Sequence, residues 1–321
     1  MLRAFTKSIA CIAILVTAIF TSAIAQSNPA PEPGPTPYLG RRETGLERIR
    51  RQDRQHDRLA QQTYANLYGQ GAYANSRRYG PKWRAAMVAL YREPKDKETA
   101  LLDAGEPYQK KYAEFLSQKR TGLIKLVPFQ GCGEKAKVIS VSPKCLKYDF
   151  PGSGSSYSFR LGSYRIRRLA DITYFKKSLI ARGVLNGAIF VALGDVPIEN
   201  VGLKTPGVGF LSRYKPVKTP HAAMEAAKRF AQGVKRDGFI YGRGVHVGDQ
   251  NTFVMRSIAY RGKFLRSEAG VVYNELDFDK RRDIVVAFRI EKVEKDGSAT
   301  IVWKILRESK SPKLKIDSAD K

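Results

Sequence analysis

The chain has 321 residues, in which 57 lysines and arginines outnumber 30 aspartates and glutamates, and its formal net charge is +27 at pH 7. This imbalance leaves the fold open but predicts an attraction to polyanions that weakens as salt is added. No apolar run after residue 25 approaches the roughly 20 residues of a membrane-spanning helix, and the longest, residues 184–193, is typical of a buried strand.

The first 25 residues predict a secretory signal peptide. Arg3 and Lys7 form a short basic segment, residues 9–20 are almost wholly apolar, and residues 22–25 have the small side chains of a signal-peptidase site. A helix over residues 9–20 would be only about 18 Å long, against the ~30 Å of a membrane core. We therefore expect a secreted or periplasmic protein that is cleaved after Ala25, and anchoring by an uncleaved leader is the alternative.

Residues 26–40 predict a linker, because prolines at every second position from 29 to 37 exclude a helix and favour an extended polyproline conformation. Residues 41–105 predict a basic, mainly helical extension. Cations interleaved with aromatic rings are typical of surfaces that bind phosphates and stack on bases or sugars, and equally of ordinary packing interfaces. The candidate anion-binding residues in this extension are Arg77, Arg78, Lys82, Trp83 and Arg84.

The cysteines predict one disulfide. Cys11 would leave with the signal peptide, so Cys132 and Cys145 remain as a single possible pair. In an oxidising compartment this pair would close a loop of about 14 residues and stabilise the fold by on the order of 3 kcal/mol in the chain-entropy model. Free thiols and a metal site are the alternatives. Zinc would need two further ligands and the three histidines are scattered, so we expect no metal and no cofactor.

Residues 106–310 predict an α+β domain, followed by a flexible tail over residues 311–321. One helix is expected from residue 106 up to a stop at Gly122. A second is expected over residues 220–236, with the preceding Thr219 as its N-cap. Because strands outnumber helices and the two do not alternate regularly, the sheet is expected to be largely antiparallel, with two packed helices.

The clearest strand signal is a hairpin near the end of the domain. An Asp-Gly pair at residues 296–297 predicts the turn between strands over residues 283–294 and 299–307. Further short strands are predicted at residues 123–127, 138–141, 157–161, 172–175, 188–193, 208–211, 252–260 and 271–276.

A row of carboxylates is the candidate catalytic site. Glu275, Asp277 and Asp279 would share one face of a strand, where like charges repel and require protonation, a hard cation or basic partners. A pair of such groups with separated pKa values is the arrangement that acid–base hydrolysis uses. The structural alternative is an ion-paired sheet face, because basic residues lie nearby in the sequence: Arg256, Arg261, Arg266, Lys280, Arg281 and Arg282.

Short segments spread over residues 114–312 carry a family resemblance. They are Arg-Thr-Gly-Leu-Ile at 120–124, the two cysteines, Pro-Gly-Ser-Gly-Ser-Ser-Tyr-Ser-Phe-Arg at 151–160, Leu-Gly-Asp-Val-Pro at 193–197, Arg-Ser-Ile-Ala-Tyr-Arg-Gly at 256–262 and Val-Trp-Lys at 302–304. In these segments the chain resembles a family of exported bacterial proteins with no assigned activity or catalytic residues. The resemblance implies a bacterial, secreted protein with a single domain, and it assigns no functional residue.

The motif search favours binding over catalysis. The sequence has no H-E-x-x-H, paired C-x-x-C, G-x-S-x-G or Walker motif, and in residues 242–248 the third glycine of a dinucleotide fingerprint is one place late. We therefore expect a non-enzymatic binding or structural module that contacts anionic envelope polymers or a membrane surface. Nucleic acid is not the expected physiological partner, and the oligomeric state stays open. An exported hydrolase that uses the carboxylate row is the alternative.

Overall fold

The computed structural model describes residues 81–131, 147–268 and 271–315. Within these ranges the chain has the α+β fold expected from the sequence, in which a seven-stranded sheet lies between a layer of helices and a five-stranded sheet. Neighbouring strands in both sheets pair antiparallel. Residues 76–321 form one compact unit. No helix in the described ranges is long and apolar enough to cross a membrane.

The described ranges contain six α-helices and three short 3₁₀ segments. The α-helices are α1 (Pro81–Tyr91), α2 (Asp96–Thr99), α3 (Glu106–Lys111), α4 (Ala113–Ser117), α5 (Val208–Arg213) and α6 (Pro220–Ala231). The 3₁₀ segments are Ala100–Leu102, Ile198–Asn200 and Glu275–Phe278. Thr219 caps α6 as predicted, because its Oγ1 accepts a hydrogen bond from the backbone N–H of Ala222 at 3.3 Å.

In the described ranges every predicted strand except that at residues 208–211 corresponds at least in part to an observed strand. The observed strands are β1 (Thr121–Leu126), β2 (Ser156–Ser158), β3 (Ser163–Tyr164), β4 (Ile172–Phe175), β5 (Ser178–Ile180), β6 (Asn186–Gly194), β7 (Val234–Arg236), β8 (Phe239–Gly242), β9 (Gly244–His246), β10 (Thr252–Ala259), β11 (Leu265–Glu268), β12 (Val271–Asn274), β13 (Arg282–Val293) and β14 (Ala299–Lys310). The strand predicted at residues 138–141 lies outside the described residues, and β3, β5, β7, β8, β9 and β11 were not predicted. The large sheet has the order β1-β14-β13-β10-β6-β8-β7 and the smaller one β3-β2-β4-β5-β9, while β11 and β12 form a separate pair.

The central strand β13 is buried on both faces, which explains its nearly continuous apolar sequence. Ile284, Val286 and Phe288 belong to the core shared with the five-stranded sheet. Val285 and Ala287 belong to the core beneath the helices. Successive side chains of a strand point to opposite faces, so this one strand joins both cores.

Helix α1 packs against the domain, although the sequence placed it in the basic extension. Its buried face consists of Met87, Leu90 and Tyr91, which share a small core with Ile166, Leu169 and Tyr273. A truncation that keeps this core must therefore retain α1.

Residues 208–211 form part of helix α5, so the strand predicted there is wrong. Val208 and Leu211 are three residues apart and both fully buried, which is helical spacing. The helix begins after Gly207, whose φ of +83° lies in the left-handed region, and a Cβ there would meet the Phe239 ring at 2.9 Å. The four apolar residues that suggested a strand are also compatible with one helical turn.

Two further boundaries differ from the prediction. The second predicted helix ends at Ala231, and the last residues of its expected range form β7, which pairs with β8. The described part of the predicted tail contacts the domain: Lys313 forms a bridge with Arg261, and Leu314 is buried. The predicted hairpin is confirmed as β13–β14, with Gly297 at φ +82° in its turn.

The first predicted helix is divided into α3 and α4, and Glu291 of β13 holds their junction in place. Lys111 Nζ and Tyr112 Oη each donate to this carboxylate at 2.6 Å, and Arg289 Nε donates at 2.8 Å. Burial alone would raise the pKa of Glu291, but the hydrogen bonds from Lys111 and Tyr112 outweigh it and hold the pKa below its ordinary value.

This lowered pKa predicts that the protein loses stability in acid. In the Glu291→Gln variant part of this pH dependence should be absent. A carboxyl whose pKa is lower in the folded state contributes stability above its unfolded value of about 4.3, and that contribution disappears as pH falls through the folded value. We expect the variant to be less stable than the parent at pH 7, with the difference shrinking below about pH 4. Urea unfolding between pH 3 and 7 measures this, and the exposed Glu114→Gln is the matched control. A difference that stays constant with pH would contradict the assignment.

Candidate functional site

The predicted carboxylate row does not lie on a strand. Residues 275–278 form a 3₁₀ segment after β12, started by Asn274, whose Oδ1 accepts from the backbone N–H of Leu276 at 3.4 Å. The prediction that the three carboxylates share one face of a strand is therefore wrong. The side chains of Glu275 and Asp279 are fully buried, while Asp277 is exposed and accepts from Asn274 Nδ2 at 2.7 Å. A polar residue that could cap a helix just before the row was the local signal against a strand.

Glu275 is held by a basic and phenolic environment. The guanidinium of Arg168 donates to it from Nε at 3.0 Å and from Nη2 at 2.9 Å, and Tyr91 Oη donates at 2.7 Å. Arg266 Nε lies 3.8 Å away. Burial, together with the hydrogen bonds to Tyr273 and Glu275, raises the pKa of Tyr91 well above its ordinary value. The phenol therefore stays protonated and serves as a donor to the carboxylate.

Asp279 belongs to a second buried cluster, in which two arginines neutralise two aspartates. Arg160 forms ion pairs with Asp171 and, at 2.9 Å, with Asp279. Arg281 Nη1 donates to Asp279 at 2.8 Å. Burial alone would lower the pKa of Arg160, but the charges of Asp171 and Asp279 raise it, so the guanidinium stays charged. Ser257 Oγ also donates to Asp171 and completes this polar core.

Only part of this environment was foreseen. Of the arginines expected beside the carboxylates, Arg266 and Arg281 are there. Arg256 instead pairs with Asp283, at 2.6 Å. Arg160 and Asp171 were not recognised as site residues, because they lie more than 100 residues from Asp279 in the sequence and no local pattern connects them.

The buried carboxylates all form ion pairs that stabilise the fold. Five of them have side chains exposed by 5% or less, and each is paired with arginine: Asp171, Glu275, Asp279, Asp283 and Glu291. An acid–base pair for hydrolysis needs access to substrate and water. Glu275 and Asp279 have neither, so their geometry favours the ion-paired alternative. Within the described ranges no group of three His, Cys, Asp or Glu residues could hold a metal ion.

The predicted anion-binding residues are only partly described. Arg77 and Arg78 lie outside the described residues, as do Cys132 and Cys145, and nothing is described for the side chain of Lys82. The ring of Trp83 packs edge-on against Tyr273, with centroids 6.1 Å apart, which is a packing role. Arg84 is exposed on α1. The disulfide and the anion-binding function of this segment stay predictions.

A basic and aromatic surface that the sequence did not single out lies at the β4–β5 hairpin. The half-buried rings of Phe129 and Phe175 are 6.2 Å apart. Three cations lie over these rings: Arg167 at 4.3 Å from the Phe129 centroid, and Lys176 at 5.4 Å and Arg182 at 5.9 Å from that of Phe175. We call this surface the Phe175 face, and it comprises Phe129, Arg167, Phe175, Lys176, Lys177 and Arg182.

The turn of this hairpin has an unfavourable sequence for its backbone. Lys176 and Lys177 have φ values of +47° and +60°, so both occupy the left-handed region. Two-residue hairpin turns of this kind strongly prefer Asn-Gly, because a side chain such as lysine is strained there. The chain thus places two exposed positive charges at the tip despite a conformational cost. Strain of this kind is concentrated at functional sites.

Acidic partners are missing from this tip within the described residues. Lys176, Lys177 and Arg182 form no ion pair there. Arg243, which directly precedes β9, forms none with the described residues either. Elsewhere the exposed cations often have one, as Lys228 has Glu225 at 2.6 Å. The Phe175 face therefore combines uncompensated positive charge with two aromatic rings.

Comparison with protein-family models, with curated proteins and with solved structures gives no match for this chain. The resemblance to an exported bacterial family and the expected secretion therefore stay predictions.

Proposed function

We propose that this protein is an exported, non-enzymatic binding module that holds acidic polymers at the Phe175 face. The observation that carries the proposal is the β4–β5 tip, where Lys176 and Lys177 are kept in a strained turn and have no acidic partner among the described residues. A structural role would be served better by Asn-Gly in the same turn. Two lysines at this position are understandable if their charge is used.

The aromatic rings add a second kind of contact. Phe129 and Phe175 lie side by side beneath the cations, so a polymer bound along the tip meets both charge and an apolar plane. Rings next to lysine and arginine bind polyanions by electrostatic attraction and by stacking on sugars or other flat groups. Such binding tolerates variation in the polymer sequence and weakens with salt.

The overall charge of the chain supports this function. The buried ion pairs match five carboxylates with five arginines, so they leave the excess of positive charge unchanged. The chain as a whole carries +27. A surplus of this size attracts anionic envelope polymers over several ångströms and raises the rate of encounter. The Phe175 face then supplies the local contacts.

Binding of fluorescein-labelled heparin tests the proposal, with Lys176→Asn, Lys177→Gly and Arg182→Gln combined in one variant. The first two changes suit the turn, so folding should be preserved or improved. At about 1 kcal/mol for each of the three lost charges, the affinity at low salt should fall roughly 100- to 150-fold. Fluorescence anisotropy at rising NaCl concentrations measures both the affinity and its salt dependence.

The matched control removes three charges elsewhere on the domain. Lys97, Lys119 and Lys310 are exposed and form no ion pair among the described residues, so their combined change to glutamine alters the net charge equally. The control should lose less than about threefold in affinity, since only long-range attraction is reduced. An equal loss in both variants would show that binding is diffuse and would overturn the assignment to this face. Binding to anionic vesicles but not to heparin would overturn the choice of partner.

A further inference from the structure

A cavity lies beneath α6. Its volume is about 320 Å³, and its wall is formed by α6, the start of β6, the end of β10 and the segment before α6. The lining is mostly apolar, as shown by Ile189, Tyr214, Ala223, Phe230, Ile258 and Leu314. We call this space the α6 cavity. Its size is near the lower end of the roughly 300–1,000 Å³ that small-molecule sites occupy.

Small side chains on both walls create the space. The lining from α6 includes alanines at positions 223, 226 and 227, and the opposite wall includes Gly183 and Gly187. Protein interiors are normally filled to the density of organic crystals, so a space of this size beside a well-packed sheet is unusual. Met224 lines the cavity and is 58% exposed, which places a flexible apolar side chain at the rim.

Two polar groups in the wall lack partners. Arg243 lines the cavity and forms no hydrogen bond or ion pair through its guanidinium among the described residues. Burial, reinforced by the charge of Arg182, lowers the pKa of Arg243. A bound anion would raise this pKa again. Asn186 is buried and lines the same cavity. Its Oδ1 lies 3.1 Å from Ser257 Oγ, whose proton goes to Asp171, and its Nδ2 has no hydrogen-bond partner among the described residues.

A groove connects Arg243 with the surface. This groove, of about 600 Å³, is lined by Arg182, Gln232 and Gly242, and it shares Gly183, Phe230 and Arg243 with the α6 cavity. The arginine thus lies where the apolar space opens towards solvent. A donor that is shielded from water and lacks an acceptor is unfavourable, so a ligand oxygen is the natural partner for these groups.

We propose that the α6 cavity binds a small apolar monocarboxylate. The hydrocarbon part fills the space between the alanines of α6 and the sheet, and the carboxylate accepts hydrogen bonds from Arg243 at the open end. Asn186 offers its free N–H to a second ligand oxygen. An anion suits the site better than a neutral or cationic molecule, because Arg182 and Arg243 are close enough to repel each other and neither has an ion-pair partner among the described residues.

Isothermal titration of the full chain with sodium decanoate tests this proposal. We expect one site per chain, with decan-1-ol at least tenfold weaker and decyltrimethylammonium without measurable binding. Arg243→Gln should weaken decanoate at least tenfold. Ala223→Phe should abolish binding by filling the cavity, and the matched control Ala222→Phe, one residue earlier on α6 and outside the lining, should bind like the parent.

The outcomes separate the parts of the proposal. Unchanged decanoate affinity in a folded Ala223→Phe would place the ligand elsewhere and overturn the site. Equal affinity for decanoate and decan-1-ol, or no effect of Arg243→Gln, would overturn the carboxylate assignment, and this holds even where Ala223→Phe fails to fold. No binding of decanoate, hexanoate or phenylpropionate by the parent would overturn the whole proposal. Heparin binding by Ala223→Phe should equal that of the parent, so the two functions are tested independently.

Discussion

Replacing Arg160 by methionine should lower the free energy of unfolding by about 3–5 kcal/mol, which is the usual cost of removing one partner from a buried ion pair. The variant leaves Asp171 and Asp279 in a fully buried position with Arg281 as the remaining cation. The substitution also removes the hydrogen bonds that Arg160 donates to the carbonyl oxygens of Leu169, at 3.0 Å, and Lys280, at 3.1 Å. Urea unfolding at pH 7, followed by circular dichroism, measures the difference.

The matched comparison is an exposed ion pair. Glu225 and Lys228 of α6 are more than half exposed and 2.6 Å apart, so Glu225→Gln should leave the stability nearly unchanged. If Arg160→Met cost no more than this control, the cluster would not be the polar core that its burial indicates. A simultaneous change of Arg160 and Asp171 to apolar residues should recover part of the loss, because Asp279 then keeps Arg281 as its partner and no unpaired carboxylate remains.

Glu275→Gln should destabilise the fold by roughly 2–3 kcal/mol, because it removes the charge that Arg168 and Tyr91 bind. The effect is smaller than at Arg160 since the side chain of Arg168 is 26% exposed and water can solvate it. Helix α1 should suffer most, because Tyr91 connects it to the carboxylate. Hydrogen–deuterium exchange of residues 81–91 together with urea unfolding measures the effect.

Asp277→Asn is the informative control within the former carboxylate row. Asp277 is exposed and bonded only to Asn274 among the described residues, so its change should alter the stability by less than about 0.5 kcal/mol. Under the alternative of an exported hydrolase, Asp277→Asn would instead abolish an activity and leave stability alone. Hydrolytic activity on an envelope polymer that disappears in Asp277→Asn would contradict the non-enzymatic proposal.

Elements with a strong local signal were predictable from the sequence. The β13–β14 hairpin follows from Asp-Gly at its turn, and α6 follows from Thr219 and Pro220 at its start. Both signals act within a few residues. The error at residues 208–211 has the opposite cause, since four apolar residues have no periodicity of their own and the left-handed Gly207 with the core around it decides in favour of a helix.

The site was harder to predict because its contacts are distant in the sequence. The excess of positive charge and the need of each carboxylate for a basic partner were evident from the sequence. Only the fold, however, brings Arg160 and Asp171 next to Asp279. The Phe175 face likewise requires Phe129 and Phe175, which are 46 positions apart, to lie side by side. One local signal was available: two lysines follow Phe175 directly, between two short apolar stretches where a turn is expected.

Hydrogen–deuterium exchange with and without heparin tests the central claim most directly. If acidic polymers bind at the Phe175 face, slowed exchange should be concentrated in the β4–β5 hairpin and the segment up to Arg182, and it should disappear at high salt. The variant with Lys176→Asn, Lys177→Gly and Arg182→Gln should show no slowing there. Slowed exchange confined to other surfaces, with the hairpin unchanged by heparin, would contradict the account.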